Sequence, residues 1–325
     1  MQSSWIRAAV TSVLLGADAD PAQAAGEMVS LDYFARCLEE ERSCSRDGAR
    51  LWRMGEQLDL GILGTLGQAM APCGTLGEAL RTFVRGFPVV QSNSRISFDV
   101  LGSEAHVSYR VLDPRIWPRR ADAELSLGLI RGVCARYAVP RGAIQELCFE
   151  HEPDRNLRDI ARYLGCSPRF GQDENRIVFS ASVLSNTPRH KADVTGPPGA
   201  RQLDDALSTL RKQTPVSQRV YEMIMSQIEH GPVSQTHIAA GLGMSERSLR
   251  RALATEGQPF HEILEHCRRT YGFFLLVRSN RLFGEIALLL GYSDQTAFSR
   301  AFSRWYGASP RELRKMGAEE VSVIR

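Results

Sequence analysis

The 325-residue chain predicts an α+β N-terminal domain, with helices around a small, largely antiparallel sheet. An all-α domain with two helix-turn-helix subdomains is predicted to follow it. Three observations carry this. Helical and alternating apolar periods interleave before about residue 190. A stretch rich in Pro, Gly and charge, TPRHKADVTGPPGA (187–200), has no apolar period and reads as a boundary. Beyond it every period is helical, and one segment recurs 48 residues later. The expected domains are 1–190 and 206–325, joined by a linker over 191–205, with helix-turn-helix units at about 216–258 and 280–315.

The opening MQSSWIRAAVTSVLLGADADPAQA shares a basic residue, an apolar stretch and small-x-small sites with secretory signal peptides. Its basic region is a single Arg behind a Trp, however. Ile6, Val10, Val13 and Leu14 follow helical spacing, which favours an amphipathic first helix. Leu31, Phe34 and Leu38 mark a second helix. GILGTLG places Gly61, Gly64 and Gly67 at i, i+3, i+6. It is not GxGxxG and no Lys follows, so a helix face packed closely on a neighbour is expected rather than a phosphate loop. TLGEALRTFVRGF opens with Thr75 and Glu78 as a capping box before Leu80, Phe83 and Val84. SRISFDV and AHVSYRV alternate about LGSE as a β-hairpin. A long helix is expected from Ala121 to Tyr137. AIQELCFEH and NRIVFSA read as further strands, with a helix around Leu157 to Leu164 between them.

Composition is that of a globular protein, 43% hydrophobic and 24% charged. From Arg201 onward there are 17 Lys and Arg against 13 Asp and Glu, so the net charge of +3 sits in the C-terminal third. That points to a polyanion. The seven cysteines are scattered, form no CxxC and share no zinc-ligand spacing with His. A reduced, cytoplasmic protein with no metal and no cofactor is expected. His151 and Cys148 read as packing residues. No apolar run approaches the roughly 20 residues that span a bilayer, so no membrane partner is expected.

After the boundary, helical stripes run through Val220, Ile224 and Ile228; Ile238, Ala239 and Leu242; Leu249, Ala252 and Leu253; and Ile263, Leu264, Cys267, Tyr271 and Phe274. IAAGLGMSERSLRRAL from Ile238 repeats as IALLLGYSDQTAFSRAF from Ile286, with one inserted residue. Each copy has a short helix and then Gly243 or Gly291, which stops a helix by turning left-handed. Ser245 in one copy, and Ser293 or Asp294 in the other, is placed to cap the next helix. That second helix has an inward flank of Leu249, Ala252 and Leu253, or of Phe298, Ala301, Phe302 and Trp305. The outward flank carries Arg247, Arg250 and Arg251, or Gln295, Thr296, Ser299, Arg300 and Ser303. Such side chains reach base edges and phosphates, and a helix of this width enters the major groove of double-stranded DNA.

EIALLLGYSDQTAFSRAFSRWYGASPRELR resembles the C-terminal signature of the AraC/XylS family of bacterial transcription regulators, over about Val216 to Lys315. The resemblance implies two helix-turn-helix subdomains joined by one long helix, here about Phe260 to Arg278. They would enter successive major grooves about 34 Å apart. By position, the first reading helix offers Arg247, Arg250 and Arg251, and the second Gln295, Thr296, Ser299 and Arg300. Arginine suits guanine or phosphate and glutamine suits adenine. One departure is Tyr271-Gly272-Phe273-Phe274 within the connecting helix. Glycine there costs about 1 kcal/mol relative to alanine, so the helix bends or large aromatics need the space.

LGILGTLGQAM, TLGEAL and FEHEPDRNLRDIARYLGCSPRFGQDENRIVFSASVLSNTP resemble the effector domain of the ornithine-utilisation-regulator branch of that family. The helical content argues against a jelly-roll sensor. The resemblance implies a small-molecule effector, an amine or amino acid among the candidates, for which Tyr109, Trp117, Asp122 and Glu124 offer carboxylates and aromatic faces. It further implies a ligand-responsive regulator, an activator working with RNA polymerase, acting as a homodimer. Two alternatives stand beside it: a constitutive DNA binder with a structural dimerisation domain, and an enzyme fused to a DNA-binding module. For the last, no Ser/His/Asp constellation, nucleophile elbow, HExxH or P-loop is present.

Overall fold

The computed structural model describes residues 4–15, 28–153, 157–189 and 199–321. Two compact units emerge. One comprises Ser3–Val111 and Ile116–Lys212; the other comprises Gln213–Arg325 with the short segment Leu112–Arg115.

The first unit opens with β1 (Trp5–Arg7) and α1 (Ala8–Leu15), and β1 pairs antiparallel with β2 (Met28–Ser30). The expected amphipathic first helix is corrected here. Ile6 belongs to the strand, and α1 buries Thr11 and Ser12 as well as Ala8, Ala9, Val10 and Leu14. The Ser12 hydroxyl donates to the Ala8 carbonyl at 3.0 Å, which lets a polar side chain face the core. The side chain of Val13 lies outside the described residues. In α2 (Leu31–Cys44), Leu31, Phe34, Ala35 and Leu38 form the buried stripe that the period predicts.

The packing centre of this unit is the crossing of α3 (Arg50–Gln57) with the long α6 (Arg120–Arg136). Glycine makes it possible. A Cβ on Gly55 would lie 2.1 Å from the Leu125 carbonyl oxygen, and one on Gly128 2.3 Å from that of Trp52. The two backbones touch with no side chain between them, which only glycine permits. Between them in sequence, a 3-10 turn (Leu60–Leu63) leads into α4 (Thr65–Met70). Here GILGTLG departs from the single helix face expected of it. Gly64 makes a turn with φ of +61°, whereas Gly67 packs closely, its would-be Cβ 2.0 Å from the Leu60 carbonyl oxygen.

Thr75 caps α5 (Leu76–Gly86), accepting from the Glu78 amide at 3.3 Å, but Glu78 reaches back one residue further than a capping box requires, to the Gly74 amide at 2.8 Å. The sheet follows: β3 (Ser94–Leu101), β4 (Glu104–Val111), β5 (Ile144–Cys148) and β6 (Asn175–Ser180), antiparallel throughout in the order β3-β4-β6-β5. Leu101 pairs with Glu104 across the two-residue turn Gly102-Ser103. Then α7 (Leu157–Leu164) lies between β5 and β6 in the chain.

The last helix of this unit, α8 (Gly199–Gln213), overlaps the linker expected at 191–205. Leu203 is fully buried against Gly86 of α5, and Arg85 pairs with Asp204 at 2.5 Å. Leu203, with the half-buried Ala206, Leu207 and Leu210, forms a helical stripe on the core, so the unit runs past the boundary expected from the sequence to the division between Lys212 and Gln213. The rest of the expected linker, 191–198, lies outside the described residues.

The second unit is helical: α9 (Val216–Gln227), α10 (Gln235–Gly241), α11 (Glu246–Thr255), α12 (Phe260–Arg278), α13 (Phe283–Leu289), α14 (Gln295–Tyr306) and α15 (Pro310–Val321). Its spine is α12, 19 residues and about 28 Å long. Glu256 receives the first two amides of α9, from Val216 at 2.7 Å and Ser217 at 2.8 Å. Arg314 of α15 donates to the Leu276 carbonyl at 3.1 Å and to that of Arg281 at 2.8 Å, closing the C-terminus of α12. The glycine in the spine now has its reason. A Cβ on Gly272 would stand 2.6 Å from the Phe302 ring and 2.7 Å from Leu290. Phe302 is fully buried, which contributes about 1.5–3 kcal/mol relative to exposure.

Replacing Gly272 by Ala tests that seat. Helix propensity alone favours Ala by about 1 kcal/mol, whereas forcing a methyl against Phe302 costs about 1–3 kcal/mol. We expect a net loss of stability and a lower Tm. Gly272→Ala combined with Phe302→Leu should lose less than the two single losses added together. Additive losses would contradict the contact.

Candidate nucleic-acid interface and ligand pocket

In the first helix-turn-helix, α10 ends ahead of Gly243, which has a φ of +68°. The Ser245 hydroxyl then accepts from the Ser248 amide at 3.1 Å and starts α11. Leu249 and Leu253 are buried, Ala252 is half-buried, and Arg247, Arg250 and Arg251 are exposed. Arg250 reaches back one turn to Glu246 at 3.2 Å, and Glu246 also accepts from the Thr236 hydroxyl at 2.6 Å. Glu246 thereby joins α10 to α11 and holds Arg250 against its own helix. The i, i+4 spacing of the two carries that pairing in the sequence.

The second copy repeats the plan. Gly291, with a φ of +76°, follows α13. Of the two capping candidates, Asp294 does the capping, accepting from the Ala297 amide at 2.7 Å, while Ser293 donates to Asp294 at 3.1 Å. These bonds, the Ala297 amide first, hold the Asp294 carboxyl below its ordinary pKa. Phe298, Ala301 and Phe302 are buried and Trp305 half-buried; Gln295, Thr296, Arg300 and Ser303 are exposed, and Ser299 is half-buried. A residue not singled out by sequence positions this turn. Arg268 of α12 donates to the Leu290 carbonyl at 2.7 Å and the Gly291 carbonyl at 3.2 Å. It satisfies the carbonyls that α13 leaves open. Glu265, one turn earlier, accepts from the Trp305 indole at 2.8 Å and from Arg304 at 2.6 Å.

In the first unit, the four side chains expected to hold an effector separate. The Tyr109 hydroxyl donates to Asp122 at 2.8 Å and accepts from Gln91 at 2.7 Å. Burial raises the Asp122 carboxyl to a pKa of about 7, against the lowering effect of its Tyr109 bond. Burial, with Asp122 adding to it, raises Tyr109 well above its ordinary value. Glu124 instead pairs with Arg42 at 2.9 Å, and the Arg119 guanidinium lies 5.7 Å from the centre of the half-buried Trp117 ring. The reason is helical geometry: residues two apart on α6 point to different sides. Beside Asp122 lies a largely apolar cavity of about 30 Å³, with Ser126 and Gln91 in its wall. It has room for a water or two.

A larger space exists in the same unit. A cleft of about 730 Å³ opens between α3, α4 and α6, within the size range of small-molecule sites. Glu56, Asp59, Gln68, Arg136 and Tyr137 line it, together with the closely packed Gly67 and Gly132. Glu56 also accepts from the Tyr163 hydroxyl at 2.7 Å. The glycine spacing of GILGTLG was the sequence signal for this wall, read there as packing alone. Elsewhere in the unit, His151 packs its ring on Phe149 and Phe170, with centroids 4.9 and 5.3 Å away, and the buried Cys148 donates to Glu146 at 2.9 Å. Among the described residues, no helix is long and apolar enough to cross a membrane.

Comparison with known proteins agrees with this layout. Residues 8–187 match the family described as "Arabinose-binding domain of AraC transcription regulator, N-term", and residues 238–316 match "Helix-turn-helix domain". The chain is 28% identical to the HTH-type transcriptional regulator VirS of Mycobacterium tuberculosis over 295 residues, covering 89% of this chain and 85% of that one. It is 24% identical to the ornithine utilization regulator of Pseudomonas aeruginosa over 302 residues, with the same coverages of 89% and 85%. The crystal structure of the transcriptional regulator CdpR from Pseudomonas aeruginosa aligns over 86% of this chain and 90% of its own, at 22% identity and a TM-score of 0.38.

The buried Asp122 makes stability depend on pH. Its carboxyl holds a proton in the fold up to a pKa of about 7, whereas an unfolded chain releases it near 4. The favourable contribution is therefore complete below about pH 4 and is lost as pH rises through about 7. Asp122→Asn removes the titrating group. The variant should show a flatter stability profile from pH 4 to 7 in denaturant titrations, and a gain of up to roughly 4 kcal/mol over wild type at pH 8. An equal slope in both proteins would contradict the assignment.

Proposed function

The chain belongs to the AraC family of transcription regulators, and from that premise we propose that it is a ligand-responsive activator. It reads two successive major grooves, one with each helix-turn-helix unit, and works with RNA polymerase as a homodimer. The observation that supports this best is the in-register repetition of one construction. Each of α11 and α14 starts at a side-chain cap after a left-handed glycine, buries its apolar flank, and leaves polar side chains exposed on the other. Arg247, Arg250 and Arg251 are the reading set of the first unit. Gln295, Thr296, Ser299 and Arg300 are that of the second, with Ser299 contributing its hydroxyl from the helix shoulder.

The effector belongs to the N-terminal domain. Its relative named for ornithine utilization supports an amino acid or amine. Volume supports one place for such a molecule over the other. The space beside Asp122 is about 30 Å³ and the cleft lined by Glu56 and Asp59 about 730 Å³. We assign the effector to the cleft, with Asp59 facing its ammonium, and give Tyr109 and Asp122 the role of a buried polar support.

Two experiments test these assignments. Operator binding by Arg251→Ala and Gln295→Ala should show different losses. A lost base contact relaxes preference at one position by about 1–3 kcal/mol, and a lost phosphate contact lowers affinity evenly and reduces the salt slope by about one. Gln295→Ala should act in the half-site about one helical turn from that of Arg251→Ala. Unchanged preferences and slopes in both variants would refute the reading-helix assignment. For the effector, thermal melting against a panel of amines and amino acids should show a saturating stabilisation. Asp59→Asn should abolish it and Asp122→Asn should leave it. The reverse outcome would return the site to Asp122.

A further inference from the structure

The strand β3 ends the four-stranded sheet, and among the described residues no strand lies along its outer side. The two edges of this sheet differ. The β5 edge carries a register irregularity between Ile144 and Glu146, and Cys148 bridges to Arg169. Both features discourage strand addition. The β3 edge has neither. It runs eight residues, Ser94 to Leu101, in unbroken register with β4, without proline, and ends at Val100 and Leu101, which are 50% and 61% exposed. A long, regular, partly apolar edge is a template for another strand.

Its sequence fits one partner, a second copy of itself. Two antiparallel copies related by a two-fold axis through the sheet place one residue opposite its own counterpart, and that choice fixes every other pair. With Ser97 on the axis, Arg95 faces Asp99 of the copy, Asp99 faces Arg95, and Ile96 faces Phe98. Moving the axis to Ile96 sets Arg95 against Ser97, and moving it to Phe98 sets Arg95 against Leu101. Only the Ser97 centre gives two opposite-charge pairs and two apolar pairs, each of which stabilises a sheet.

The backbone agrees. Leu101 and Glu104 close a two-residue turn, and such a turn is flanked by a hydrogen-bonded pair. Alternation along the strand then turns the odd-numbered residues of β3 toward β4. The amides and carbonyls of Ile96 and Phe98 face outward, available to a new strand. Ser97 would meet its copy as a non-hydrogen-bonded pair, with Cα atoms about 4.5 Å apart.

We propose that the β3 edge is the homodimer surface of this protein, joining two sheets into one across a two-fold axis at Ser97. This rests on the homodimer in the reading above and supplies its interface.

The full-length chain tests it with a cross-link and a charge exchange. Under oxidation, Ser97→Cys should give a disulfide-linked dimer on non-reducing gels, because a Cα separation of about 4.5 Å lies within disulfide range. Arg95→Cys, on the same edge but off the axis, should link no more than wild type with its seven native cysteines. In sedimentation equilibrium, Arg95→Asp should raise the dimer dissociation constant at least about tenfold by setting like charges opposite each other. The double variant Arg95→Asp/Asp99→Arg should restore it to within about threefold. If Ser97→Cys cross-links no better than Arg95→Cys and Arg95→Asp leaves dimerisation unchanged, the dimer uses another surface and the proposal fails alone. A wild-type chain that stays monomeric at about 100 μM would defeat this interface and the homodimer together.

Discussion

A helix can offer polar side chains to a partner only if its other flank is fixed, and in the second unit that fixing is done at one close contact. Phe302 of α14 lies where a side chain on Gly272 of α12 would stand. A bare backbone on the spine admits a whole ring, and the ring carries α14 with it. Arg268 completes the arrangement from the same spine by bonding to the carbonyls at the end of α13. The exposure of Gln295, Thr296 and Arg300 is a consequence of these buried contacts. The first unit uses the same device in its own core, where Gly55 and Gly128 bring α3 and α6 backbone to backbone.

Charge in the second unit is divided between two tasks, and the division sharpens the electrostatic argument. The C-terminal third holds an excess of basic residues, but several of its arginines serve the fold. Arg268 and Arg314 bond to helix carbonyls, and Arg304 pairs with Glu265. Arg250 is paired with Glu246, whereas Arg247 and Arg251 are exposed with no ion pair of that kind among the described residues. The cationic face available to a phosphate backbone is narrower than the count of arginines implies.

Much of this was legible in the sequence because it is local. The repeat at 48 residues, the glycine turns and the capping positions are all set by residues within a few places of one another. The β-hairpin is likewise encoded by alternation on either side of a glycine turn. The missed elements depend on distant partners. In α3 the buried residues are Leu51, Trp52 and Gly55, and the close approach is made at the glycine, which an apolar period does not register. α8 differs: its stripe of Leu203, Ala206, Leu207 and Leu210 is local, but it starts inside the span expected as linker. The first helix buries Ser12 because its hydroxyl finds a backbone partner, the Ala8 carbonyl. The four side chains expected around an effector do not form one cluster, because Asp122 and Glu124 are two apart on a helix and face different sides. Tyr109 reaches Asp122 only through tertiary packing.

The central claim is that two similar helices, each held by its buried flank, engage one face of duplex DNA together. Hydroxyl-radical footprinting of the full-length protein on an operator tests it most directly. The account predicts, per chain, two protected tracts on the same face of the duplex, centred about 10–10.5 base pairs apart. A single tract, or two tracts on opposite faces, would contradict it.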